Sequence, residues 1–118
     1  MTLILTTPIS SGTTVVSGNI TNDQIPPQTT LTVDSASILD RSTIKWIVEL
    51  KNATTGAIIA QEILAVRQPS SVQFTRYGIV GDLLPHLVDV VSNLAGTALD
   101  LKITNSSTTD IYYVNAIR

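Results

Sequence analysis

The stretch from Ile44 to Val66, IKWIVELKNATTGAIIAQEILAV, constrains the fold more than any other part of the chain. Ile44, Trp46, Val48 and Leu50 alternate with Lys45, Glu49 and Lys51. A period of two places the apolar set on one face of a strand and the charges on the other. Thr54, Thr55 and Gly56 make the turn, and a glycine there can take the positive φ that tight loops need. Residues 57–66 return as a second strand with few charges on either side.

Further short runs follow the same rule. TTLTV (29–33) alternates and leads into the polar stretch DSASILDRS. SVQFTRYGIV (71–80) carries Val72 and Phe74 in register, with Gly78 marking a bulge or bend. ALDLKIT (98–104) sets Leu99, Leu101 and Ile103 on one side, and DIYYVNAIR (110–118) forms a last strand after the polar turn NSSTT. Residues 82–95 are a contest. Leu84, Leu87, Val88, Val91 and Leu94 have helical spacing, with Asp82 placed to cap and Gly96 to terminate. Against this, HLVDVV is β-branched and lies among strands. Residues 1–28 are less regular: TLILTT (2–7) stops at Pro8, Val15 and Val16 suit an edge strand, and Pro26-Pro27 excludes a central one. The expected organisation is an N-terminal arm or edge segment over 1–28 and a β-sandwich domain over 29–118. The expected fold class is all-β, an antiparallel sandwich of about eight short strands, jelly-roll-like or Ig-like. No segment repeats, which excludes solenoids and propellers.

Composition removes several functions. The 118 residues suit one domain and include no cysteine, so disulfides, thiolate metal sites and a cysteine nucleophile are excluded. Seven Lys and Arg stand against nine Asp and Glu, and the basic residues are scattered, so no nucleic-acid partner is expected. Charged residues make up 14% of the chain, against roughly a quarter in an average soluble domain. Such a weakly charged surface fits either coverage by neighbours in an assembly or a Thr-rich β domain, since Thr suits a pleated surface. The apolar runs fall far short of the roughly 20 residues of a spanning helix, so no membrane insertion is expected. MTLILTTPIS lacks the basic start of a secretion signal, and synthesis in a cytoplasm is expected.

Reactive groups are sparse. His86 is the one histidine, and a lone histidine makes no multi-histidine metal site; it reads as a loop or strand-end residue. Asp34 and Asp40 flank one loop, and Asp82 and Asp89 another segment. A glycosidase pair would need two carboxylates roughly 5–10 Å apart in a cleft, and no calcium-loop spacing is present. These aspartates read as turn residues and solvated partners. No catalytic, cofactor-binding or metal-binding residue is therefore assigned, no cofactor is expected, and the chain is expected not to be an enzyme. Asn19, Asn52 and Asn105 head glycosylation patterns that, without a secretion signal, read as chance matches. Among the aromatics, Trp46 reads as core, while Tyr112 and Tyr113 point to opposite faces.

Val33-Asp34-Ser35, Arg41-Ser42 before Trp46, Glu62 on the return strand and Phe74 to Gly78 occur in a familiar order. From Thr29 to Arg118 the chain resembles a small β-sandwich domain of tailed-bacteriophage virion proteins. That resemblance implies a strand at 87–92, no catalytic residues, and a structural role. Family members usually sit inside larger fibre or appendage proteins, whereas here a distinct arm precedes the domain. The expectation that follows is a capsid decoration (cement) protein bridging shell subunits. The alternative is a neck, tail or fibre-associated component, and from another class a carbohydrate-binding module. Expected partners are other virion proteins, capsid shell or neck and tail subunits, with self-association into a homo-oligomer. The expected location is the virion, after synthesis in the host cytoplasm.

Overall fold

The computed structural model describes residues 19–39, 41–93 and 95–118, and these contain eight strands and no helix. The strands are β1 (Asn19–Ile25), β2 (Thr30–Ser37), β3 (Thr43–Asn52), β4 (Ile58–Arg67), β5 (Val72–Gly81), β6 (His86–Ser92), β7 (Ala98–Asn105) and β8 (Tyr112–Ile117). They form a five-stranded sheet in the order β1-β8-β3-β4-β5 and a three-stranded sheet in the order β2-β7-β6. Every pairing is antiparallel. First pairs with last and second with seventh, the nested wrapping of a jelly roll. The β4–β5 extension, however, stays on the larger sheet instead of crossing to the smaller one.

The alternation read from the sequence is the alternation that builds the core. Ile44, Trp46, Val48 and Leu50 of β3 are buried, as are Ile59, Ile63 and Ala65 of β4 and Tyr112, Val114 and Ala116 of β8. Leu99, Leu101 and Ile103 of β7 meet them from the smaller sheet, joined by Val33, Ala36 and Val90. Burying one such side chain contributes about 1.5–3 kcal/mol, so these facing rows carry the fold. Of the expected arm, residues 1–18, with Val15 and Val16, lie outside the described residues. Asn19–Ile25 is the edge strand beside β8, ending before Pro26, and Ile25 is wholly buried.

Three segments deserve their physical reasons. The stretch with helical spacing is a strand from His86 to Ser92. A helix would bury Leu87 with Val91, but Leu87 is 64% exposed, while His86 and Val90 turn inward at strand period. β2 runs to Ser37, beyond the expected TTLTV, because a register shift between Thr32 and Asp34 turns both Val33 and Asp34 inward. The polar look of DSAS hid that continuation. At the far edge, the register of β5 against β4 shifts between Ala60 and Glu62, opposite Gly78, whose φ is 59°. This is the bulge expected at Gly78.

The two outer faces differ. On the smaller sheet Thr30 and Thr104 share a 2.6 Å hydroxyl bond, Ser35 donates to Asp100 at 2.6 Å, and Asp89 stands opposite Lys102. On the larger sheet Ile47, Leu64, Val66 and Ile117 are half-buried beside a Lys45–Glu62 ion pair of 3.2 Å. The Lys45 ammonium also lies 5.7 Å from the Tyr77 ring centre, and Glu62 with Tyr77 raises its pKa.

Candidate functional site

Three polar centres and one apolar corner are the features able to do more than fill space. The first centre joins the sheets. The β2 shift aims Asp34 inward, where Oδ2 accepts the indole N–H of Trp46 at 2.8 Å and Nε–H of Arg118 at 2.6 Å. Both partners of the Arg118–Asp34 ion pair are largely buried, with side-chain exposures of 14% and 11%. Its carboxylate is thus committed to two donors and braces the sandwich. The aspartate and tryptophan singled out in the sequence resemblance are one contact.

The second centre holds His86, the first residue of β6. Nδ1 lies 2.7 Å from the Leu84 carbonyl, which can only accept, so that nitrogen carries the proton. Nε2 then accepts from Arg76 Nη2 at 2.9 Å and from the Gln61 amide at 3.0 Å. Gln61 in turn accepts Arg76 Nε–H through Oε1 at 2.7 Å. Burial, opposed by the Leu84 hydrogen bond and aided by the Arg76 charge, lowers the imidazole pKa. The strand-end placement agrees with the sequence; the partners from β4 and β5 were not visible there.

The third centre organises the turns. Asn105, wholly buried, donates from Nδ2 to the carbonyls of Ile25 (2.9 Å) and Asp110 (2.7 Å) and accepts the Ser107 N–H at 2.9 Å. Asn52 accepts the amides of Thr54 and Thr55 and donates to Asp110 Oδ2 at 2.9 Å. Both asparagines are structural, since attaching a sugar to either would tear open its turn. Tyr112 is buried, its hydroxyl donating to the Pro85 carbonyl at 3.3 Å, and burial together with Asp110 pushes its pKa up.

The aspartates of the sequence reading are not gathered into a cleft. Asp34 points into the core, Asp82 is exposed on the β5–β6 connection, and Asp89 faces out from the smaller sheet; Asp40 lies outside the described residues. Among the described residues no group of three or more His, Cys, Asp or Glu comes together. No helix among the described residues is long and apolar enough to cross a membrane. Phe74 and Tyr77, each 37% exposed, sit three positions apart on the β5 edge, and Tyr113 borders a shallow depression of about 440 Å³ with Glu49, Lys51 and Asn115.

The apolar corner is where β5 turns into β6. Ile79 (51% exposed), Val80 (70%), Leu83 (88%) and Leu87 (64%) present large side chains to solvent. Apart from Val72 and Arg76, every residue of β5 is exposed, and among the described residues no strand pairs with its outer edge. The run GIVGDLLPHL carries these residues, but its periodicity does not say which of them stay exposed.

No family model and no curated protein matches the chain. Among solved structures, the crystal structure of the Acinetobacter phage vB_ApiP_P1 tailspike protein is similar, with a TM-score of 0.53 and 10% identity. The alignment covers 98% of this chain and 24% of that one, so the chain spans about a quarter of the tailspike's length. At 10% identity this is a likeness of fold, and it takes in nearly the whole sandwich.

Proposed function

We propose that the chain is a non-enzymatic structural module of a tailed-phage virion, seated in a tail appendage. The observation that carries this reading is the likeness of fold, over 98% of the chain, to a phage tailspike protein. The sequence resemblance to virion β-sandwich domains supports the same class. The polar centres fit it, because each is spent on bracing the sandwich or its turns. The sequence alone favoured capsid decoration over a neck, tail or fibre-associated component; the tailspike likeness supports the latter. Decoration of the capsid stays as the second reading, favoured by the weakly charged surface and the exposed apolar corner. Either role draws affinity from many modest contacts with other virion proteins or further copies of the chain.

Immunogold electron microscopy of gradient-purified particles with antibodies against the chain tests the proposal. Labelling at the tail is the expected result. Labelling over the head would replace the appendage reading with decoration, and particles free of the chain would overturn the virion reading altogether. A carbohydrate-binding module predicts saturable binding to glycan arrays by the isolated chain without any particle. The scattered placement of Phe74, Tyr77 and Tyr113 leads us to expect none.

A further inference from the structure

We propose that His86 is an acid-released latch that holds the β5–β6 corner, where the free edges of the two sheets are joined. The ring is the meeting point of three strands. β6 supplies the imidazole, β4 supplies Gln61 and β5 supplies Arg76. Neutral imidazole fits this set, with one nitrogen donating to Leu84 and the single lone pair of the other shared between the two donors.

A second proton destroys this arrangement. Nε2–H would then face two donors, Arg76 Nη2 at 2.9 Å and the Gln61 amide at 3.0 Å. Turning the Gln61 amide over would offer an oxygen to His86 but set its NH₂ against Arg76 Nε–H, which it now accepts at 2.7 Å. Neither orientation satisfies both neighbours. Among the described residues the surroundings offer no compensating anion. Glu62 on β4 is engaged with Lys45, and Asp89 on β6 faces the opposite side beside Lys102. Asp82 on the connection is exposed and Asp110 is bonded to Asn52. From β7 comes the neutral Asn105 and from β8 the Tyr112 hydroxyl, which is spent on Pro85. Arg76 is the charged group that bears on the ring, and it repels a second positive charge.

The direction of the pH effect follows. The folded chain binds this proton less readily than the unfolded one, so the contribution of the latch is complete above the ordinary histidine pKa of 6.5. It is lost as pH falls from there through the lower folded value. Each unit of separation between the two values corresponds to a tenfold change in the folding equilibrium. The upper part of that window, from about pH 6.5 to 5.5, lies above the carboxylate range, which isolates the histidine there.

Because the chain has a single histidine, its imidazole resonances in the full-length protein are unambiguous. Long-range ¹H–¹⁵N spectra from pH 7.5 to 5 are expected to show the Nδ1–H tautomer and a midpoint below 6.5. Hydrogen exchange, corrected for intrinsic rate, is expected to lose protection at pH 5.5 for the Asp82 amide, bonded to Ile58, and the Ser106 amide, bonded to Pro85. The Ile38 amide, bonded to Thr97 at the far end of the smaller sheet, is expected to keep its protection. A midpoint at or above 6.5, the opposite tautomer, or protection lost uniformly would overturn the latch. His86→Gln, if it folds, is expected to abolish the fall of Tm between pH 7 and 5.5; persistence of the same slope would also overturn it. If that variant does not fold, the spectra and exchange of the unaltered protein decide.

Discussion

Asp34, Trp46 and Arg118 illustrate what single residues contribute here and why sequence hides it. Their side chains meet within 2.8 Å although Trp46 lies 12 and Arg118 84 positions from Asp34. Periodicity assigns Trp46 to the core, because alternation is a local property. It gives Asp34 no partner, because the bulge that turns it inward depends on its pairing with β7. His86 is the same case: its strand-end position was legible, while Gln61 and Arg76 reach it only after β4, β5 and β6 converge. Replacing Asp34 with Ala leaves a guanidinium and an indole N–H without their buried acceptor. The expected loss is about 3 kcal/mol, or a fall in Tm on the order of 10 °C, measured by calorimetry. A loss below about 1 kcal/mol would mean that water replaces the carboxylate at that seam.

At the scale of elements, what could be read depended on whether a strand is covered on one face. β3 and β7 each pack one face on the core and show it as alternation, whereas β4 and β8 do the same with few charges on the outer face to mark it. β5 has little cover on either face, so its exposure was not legible from VQFTRYGIVG. β6 is a short edge strand whose apolar residues happen to fall at helical spacing as well. The end of β5 rests on a close approach: a Cβ at Gly81 would lie 2.2 Å from the Ile58 carbonyl oxygen, at a φ of 110°. Gly56, in the β3–β4 turn, has φ 76° but open space around it. Gly81→Ala is therefore expected to cost roughly 3 kcal/mol, through clash and strain together. Gly56→Ala should cost only about 1 kcal/mol, from the left-handed backbone alone. Urea unfolding of the two variants compares them directly. Equal small losses would show that the end of β5 shifts freely away from β4.

For the molecule as a whole, the open β5 edge and the apolar corner are the surfaces that ask for company. Val80→Glu combined with Leu83→Glu moves the formal net charge of −2 further from zero. Light scattering over a wide concentration range is expected to show less self-association for this variant. Its Tm should be unchanged within the roughly 0.5 kcal/mol typical of surface positions. Equal mass for both proteins would move any contact between copies to the half-apolar outer face around Ile47 and Leu64. The nested strand order also sets a timetable for the newborn chain. Local hairpins, β3 with β4 and β5, and β6 with β7, need only short loops to close and can form early. The larger sheet cannot close, because β8 sits between β1 and β3. Until residues 112–117 have been synthesised, Ile25 and the free edge of β3 wait without their neighbour. Closure over nearly the full chain length is slow by its topology, and during that wait a half-built sheet is open to the wrong strand. Rapid production of this protein therefore favours conditions that keep nascent chains apart until the last strand slides into its gap.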